Sequence, residues 1–322
     1  MKWSAVENIA ILYRLMQVKG IGNVQTNKIL SSLDRINKAK ELEQALYAVL
    51  DASQRECFRD AVLDNDEVNC NWNYLSVMDE NYPSDLKNFL GYNTPPVLSY
   101  MGNLDLLKKK RIGISGSRKV SEKGIRITRD CVEQLVKNDC CIVSGYAAGV
   151  DEIAHLTALD NDGTTIIVLP EGMTSFKVKK DYQSVWDWNR VLIISQFFPK
   201  DKWMVSRAML RNQTIIGLSD AMIVVEAGDK GGSLDAGMKS IQQGKLLFVP
   251  QYEQAPPSAI GNNLLIEKGA LPIRMKRETR RANLQALYEN IHNRKSKKYI
   301  TDFSNSLFAA SVHEDALSYG KK

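Results

Sequence analysis

Beyond a Lys108-Lys109-Lys110-Arg111 tract, the chain carries six apolar runs of strand length, at 112–115, 140–144, 165–169, 191–195, 221–225 and 246–250. Amphipathic stretches long enough for helices separate them. A strand, a helix and a second strand make a βα unit, and repeated units give a parallel sheet covered by helices on both faces, its strands apolar throughout. The expectation is therefore an α/β domain. In such a sheet, ligands bind in the crevice at the carboxyl ends of the strands.

Ahead of that tract the apolar residues recur at helical spacing: Ile11, Leu12, Leu15 and Met16, then Ile29, Leu30 and Leu33, then Leu42, Ala45, Leu46, Val49 and Leu50. This periodicity predicts a small all-helical domain over residues 1–64. Residues 65–103 are turn-rich, with Tyr82-Pro83 and Pro95-Pro96 holding the backbone extended, and read as a connector belonging to an α/β domain over 65–275. From Lys276 the chain becomes charged. Leu284, Leu287, Tyr288 and Ile291 still share one helical face, so a short helix is expected within a basic tail, 276–322.

The balance of 43 Lys+Arg against 37 Asp+Glu in 322 residues is mild, so any site for a polyanion must come from local clustering. Five cysteines form an odd set without a CxxC pair or a histidine cluster, which argues against a disulfide framework and against a structural metal. The start of the chain lacks the order of a secretory signal, and no stretch approaches the ~18 apolar residues of a membrane span. A cytoplasmic location without a membrane partner is expected.

Several glycine-bearing segments stand where chemistry is expected. Val18-Lys19-Gly20-Ile21-Gly22-Asn23-Val24 lies between two helical stretches and resembles a helix-hairpin-helix turn, which serves either to approach a phosphate or simply to pack helices. The first strand of the α/β domain runs into Gly116-Ser117-Arg118-Lys119, either an anion cradle with a bidentate arginine or a tight turn with a solvated one. Neither segment has the GxGxxG spacing of a dinucleotide fingerprint. The second strand leads through Ser144-Gly145 to Gly149-Val150-Asp151 and His155, and the fifth through Glu226 to Lys230-Gly231-Gly232-Ser233. These loops would meet at one sheet edge, each opening a helix N-terminus. Arg211 and Asn212 read as the exposed start of a run whose Ile215, Ile216 and Leu218 are core. With Trp203, Arg207, Lys177, Lys179 and Lys180 they make a basic groove with an aromatic platform, or a solvated helix face.

Together these segments resemble the DNA-processing protein A (DprA/Smf) family over roughly residues 5 to 275. The resemblance is carried by Tyr82-Pro83, Pro95-Pro96, Gly116-Ser117-Arg118, Ser144-Gly145, Gly149-Val150-Asp151, Arg211-Asn212, Gly217-Leu218-Ser219, Gly232-Ser233-Leu234 and Gly261 with Asn263-Leu264. It implies an extended Rossmann-like sheet, mixed at its edge, behind the helical domain. It also implies a homodimer, single-stranded DNA as partner, and delivery of incoming DNA to the RecA recombinase during natural transformation. The DNA-contacting set is then Gly116, Ser117, Arg118, Lys119, Ser144, Gly145, Lys177, Arg207, Arg211, Asn212, Lys230, Gly232 and Ser233. The chain departs from the family at Ala148, where an arginine is usual, and at Ala208, where an aromatic is, leaving Trp203 as the nearby ring. The winged-helix domain of some members is not expected here.

The nearest enzymatic alternative is a phosphoribohydrolase on a related fold, but Ala236 stands where its loop carries the glutamate. Asp151 and His155 are spaced as an acid/base pair could be, although a helix-capping aspartate and a buried histidine are favoured. The expectation is a DNA binder without catalytic residues, metal or cofactor. A nucleotide-sensing module is the other rival.

Overall fold

The computed structural model describes residues 3–33, 39–61 and 71–296. These divide into two compact units. The first contains α1 (Trp3–Gln17), α2 (Asn23–Ser32), α3 (Ala39–Val49) and α4 (Ala52–Asp60). Ile11, Leu15, Val18, Ile21, Ile29, Leu42, Leu46, Leu50 and Phe58 form its core, which is the apolar periodicity folded inward. A capping box starts α4: Asp51 Oδ1 accepts from the Gln54 backbone N–H at 2.8 Å, and Gln54 Oε1 accepts from that of Asp51 at 3.1 Å.

Ser76–Val97 belongs to this helical unit, with a short helix α5 (Ser84–Leu90), rather than to the α/β unit as its sequence suggested. The reason lies in contacts far apart in the chain. Asn27 Nδ2 donates to the carbonyls of Tyr92 at 2.9 Å and Thr94 at 2.7 Å, fastening α2 to this segment. The buried Tyr82 hydroxyl donates to Pro95 O at 2.6 Å.

The second unit is built on a sheet of nine strands among the described residues: β1 (Asn73–Ser76), β2 (Val97–Gly102), β3 (Lys110–Ser115), β4 (Cys140–Ser144), β5 (Thr165–Leu169), β6 (Val191–Ser195), β7 (Ala221–Val224), β8 (Leu247–Pro250) and β9 (Leu271–Ile273). Their order is β1-β2-β6-β5-β4-β3-β7-β8-β9. Neighbours from β6 across to β9 are parallel, and β2 pairs antiparallel with β6, Ser99 facing Ser195. This is the α/β, extended Rossmann-like sheet with a mixed edge. Six strands coincide with the apolar runs. Strands β1, β2 and β9 were not foreseen, being short and interrupted by polar residues or Pro272.

Helices α6 (Glu122–Lys137) and α7 (Val150–Asp160) pack together over Ile112, Ile114, Ile142 and Ile223, each fully buried. Burial of each such side chain stabilises by about 2 kcal/mol. Leu284 packs in the same core, as do Leu287 and Ile291 of α11 (Gln285–Ser296). The helix predicted near 284–291 thus exists, as part of this unit; the tail from 297 lies outside the described residues. Helices α8 (Val205–Leu218), α9 (Gly232–Gln242) and α10 (Gly261–Glu267) form a second layer. Because β3 has β4 on one side and β7 on the other, the crossovers diverge there, opening a crevice at the carboxyl ends of β3, β4 and β7.

Candidate nucleic-acid interface

The loops leaving β3 and β4 touch one another at that crevice. Gly149 has φ +80°, in the left-handed region, and a side-chain carbon there would strike the carbonyl oxygens of Ser117 and Arg118. Val150 N–H donates to Ser117 O at 3.2 Å, and Gly116 lies directly on the Val150 side chain. Two glycines thus let the loops close without a gap.

Arg211 forms the floor beneath them. It projects from the middle of α8, is 5% exposed, and donates from Nη1 to Val168 O at 3.1 Å. Its guanidinium occupies the space a side chain at Gly145 would need, with Asp151 Oδ2 on the same spot. The Asp151 carboxylate, from the first turn of α7, also accepts from Ala147 N–H at 3.4 Å. Burial raises the Asp151 pKa above the usual carboxylate range, with Arg211 pulling it back. Burial likewise lowers that of Arg211, Asp151 opposing the shift and Arg118 adding to it. Arg211 Nε has no hydrogen-bond partner.

Arg118 stands at the rim. Its exposed guanidinium lies 5.9 Å from the ring centroid of Trp203, itself 46% exposed. Across the crevice, Asn212 Nδ2 donates to Gly232 O at 3.4 Å, tying α8 to the start of α9. No side chain caps α9, whose N-cap Gly231 has φ +107°. Its first N–H groups remain available at the positive end of the helix dipole.

Two buried side chains set these loops in place. His155 is fully buried, and its Nε2 meets Gly145 O at 2.6 Å while Nδ1 meets Thr165 Oγ1 at 2.6 Å. Burial pushes its pKa down to about 4, so the ring is neutral. A carbonyl can only accept, so Nε2 carries the hydrogen, and Nδ1 shares the Thr165 hydroxyl with Ile142 O, which lies 3.0 Å from it. Both ring nitrogens are thereby spent on structure. Glu226, fully buried after β7, accepts from Ser121 N–H at 3.0 Å, closing the start of α6 with a carboxylate of the protein itself.

The family model for DNA recombination-mediator protein A matches residues 73–282. The chain belongs to this family. Among recombination-mediator relatives, DNA processing protein DprA of Streptococcus pneumoniae is 34% identical over 198 residues, 61% of this chain and 69% of that protein. That of Bacillus subtilis is 30% identical over 203 residues, covering 62% and 68%. The solved structure of the S. pneumoniae protein superposes with a TM-score of 0.68 at 29% identity, covering 81% of this chain and 93% of that one. A structure of DNA processing protein A from Helicobacter pylori, described for its single-stranded DNA binding mode, gives a TM-score of 0.58 at 27% identity, covering 70% and 98%.

Placed on this recombination-mediator fold, the expected site residues separate. Gly116, Ser117, Arg118, Gly145, Arg211, Asn212, Gly232 and Ser233 gather at the crevice, and Lys119 is exposed on the β3 loop beside Arg118. Lys230 is exposed in the loop just before α9. Four expectations need correction. Arg211 is buried within α8 instead of exposed at its start, because Asp151 and Val168 O compensate its charge inside. The Ser144 hydroxyl is buried and donates to Ile114 O at 2.6 Å, so it faces the sheet. Arg207 is held by Asp201 and by the Lys202 carbonyl. Lys177 is exposed, and its carbonyl accepts from the Tyr146 hydroxyl at 3.2 Å, while Lys179 lies over the Tyr146 ring at 4.4 Å. The expected open N-terminus of α6 is occupied by Glu226. Sequence reasoning missed Glu226 and Tyr146 as organisers of the loops, although a glutamate ending an otherwise apolar strand was a visible signal. Asp235, next to Ala236, pairs with Lys239 at 2.9 Å along α9.

Proposed function

We propose that the crevice binds the backbone of single-stranded DNA, and that the protein protects incoming strands and hands them to the RecA recombinase. The observation that carries this reading is an exposed rim Arg118 at a crevice that also holds the uncapped start of α9, with the buried Arg211 as its floor. Such an arrangement presents positive charge and free N–H groups to phosphates, which gives affinity with little base preference. Trp203, within 5.9 Å of Arg118, is the ring available for a base to stack on. The printed description of the H. pylori relative, and membership of a recombination-mediator family, favour the same ligand. Closure of the α6 start by Glu226 argues against a dinucleotide. Among the described residues no group of His, Cys, Asp and Glu is arranged to hold a metal, and no helix is long and apolar enough to cross a membrane. A homodimer and a cytoplasmic location belong to this reading.

A gel-shift titration with single-stranded against duplex oligonucleotides tests it, with mononucleotide as competitor. Single strands are expected to bind more tightly, with affinity falling steeply as salt rises. Equal binding of duplex, or full displacement by a mononucleotide, would overturn it. Wild type and an Arg118→Ala variant mixed with RecA and a labelled strand then test the hand-over.

A further inference from the structure

Lys119 at the crevice rim adjoins exposed cations to which that reading gives no role, among them Lys123, Arg126, Lys276, Arg277 and Arg280. None of them makes an ion pair among the described residues. The first follows Arg118 in the β3 loop. Lys123 and Arg126 lie on α6 seven and four residues ahead of Asp130, so the three share one outward stripe, about 10 Å long. The other three occupy a tight turn after β9, closed by Lys276 N–H to Arg281 O at 2.8 Å and by Arg280 N–H to Lys276 O at 2.9 Å.

This turn is fixed to the same stripe and the same sheet edge. Arg281 bonds Asp130 at 2.5 Å and Glu133 at 3.0 Å, which engages two carboxylates of α6, so that in this region five cations face two exposed acids, Glu122 and Glu278. Ala282 N–H also donates to Asp130. Since β9 runs parallel to β8, with Ile273 beside Pro250, the turn emerges at the carboxyl edge, and Arg274 Nε donates to Gln251 Oε1 at 2.8 Å there. Arg280 sits at φ +54°, a conformation that is costly for arginine and free for glycine. The Arg280 side chain is exposed and has no hydrogen-bond or ion-pair partner among the described residues.

We propose that this ridge is a second phosphate-binding surface, along which a single DNA strand leaving the crevice at Arg118 continues over α6 to the 276–280 turn. The inference rests on the reading that the crevice takes a strand. The ridge presents cations without an aromatic among them, so it grips phosphodiesters and reads no bases.

The test compares the full chain with a Lys276→Ala/Arg277→Ala/Arg280→Gly variant, titrating oligothymidylates of about 6 and about 20 nucleotides by fluorescence anisotropy over a range of salt. The short strand is expected to bind both proteins equally. The long strand should bind the variant about tenfold more weakly, with a salt slope smaller by about 2, near 0.7 for each lost contact. Arg280→Gly alone should leave the melting temperature unchanged or raised, since it relieves the backbone. Equal affinity and slope for the long strand would overturn the ridge while leaving the crevice intact. If instead Arg118→Ala weakens neither length, the crevice reading falls, and the ridge as its continuation falls with it.

Discussion

The Glu226 carboxylate accepts from both the backbone N–H and the hydroxyl of Ser121, at 3.0 and 2.5 Å. The serine oxygen in turn accepts from Gly124 N–H at 3.1 Å, so one buried acid orders the whole first turn of α6. Dinucleotide-binding sheets place a pyrophosphate at this position. Here the negative charge is built in, and the free helix start is that of α9 instead.

Replacing that acid should be costly. Glu226→Ala removes the charge-assisted hydrogen bonds that hold the capping Ser121 in place, leaves the serine cap itself, and is expected to lower stability by about 2 kcal/mol in urea unfolding. Glu226→Gln, whose amide oxygen still accepts, should recover about half. A Glu226→Ala protein within about 0.5 kcal/mol of wild type would refute the capping account.

Gly145→Ala and Gly228→Ala should differ sharply. At Gly145 the new methyl collides with the Arg211 guanidinium and the Asp151 carboxylate, whereas at Gly228 it meets only Lys230 O at 3.6 Å. The first is expected to cost about 3 kcal/mol and to weaken oligonucleotide binding, the second under about 1 kcal/mol. Similar melting temperatures for the two would mean that Arg211 does not occupy that space.

The two arginines of the crevice should separate folding from binding. Arg211→Ala removes the guanidinium lying near the buried Asp151 carboxylate and opens a cavity beneath Gly145, which is expected to cost about 3 kcal/mol. The Asp151 pKa should then climb further, so the deficit shrinks as pH falls and the acid protonates. Arg118→Ala, on the surface, should change stability by under about 0.5 kcal/mol while weakening single-strand binding about tenfold. Unfolding curves at two pH values and anisotropy titrations measure the four quantities.

His155 makes stability depend on pH with a definite sign. Its folded value, about 4, lies below the ordinary 6.5, so the unfolded chain takes up the proton first. Stability is flat above pH ~6.5 and falls as pH drops from there toward 4, by about 2 kcal/mol between pH 7 and pH 5 from this group. Asp151, shifted upward, works in the opposite direction at lower pH. A His155→Gln variant should lose the decline between pH 7 and 5. Ring resonances of His155 that titrate near pH 6.5 in the folded protein would rule this out.

The layered α/β sheet, its six central strands and the helical N-terminal unit were legible in the chain because strand burial and helix amphipathicity write themselves as local periodicity. The glycines of the crevice loops were visible too, but the need for glycine at 149 comes partly from its left-handed backbone and partly from the Ser117 and Arg118 carbonyls of another loop. The assignment of Ser76–Val97 to the helical unit was not visible, because Asn27 reaches Tyr92 and Thr94 across 65 and 67 residues.

For the site, sequence by itself determined which residue types are present and which strand ends bear them. Tertiary structure alone decided which charges are free. Arg118 and Arg211 look alike in sequence, yet one is solvated at the rim and the other is buried against Asp151, Gly145 and Val168, contributed by three separate elements. A charge buried in protein persists only where opposite charge and acceptors from distant segments converge on it, and convergence is a property of the fold rather than of any neighbouring residue.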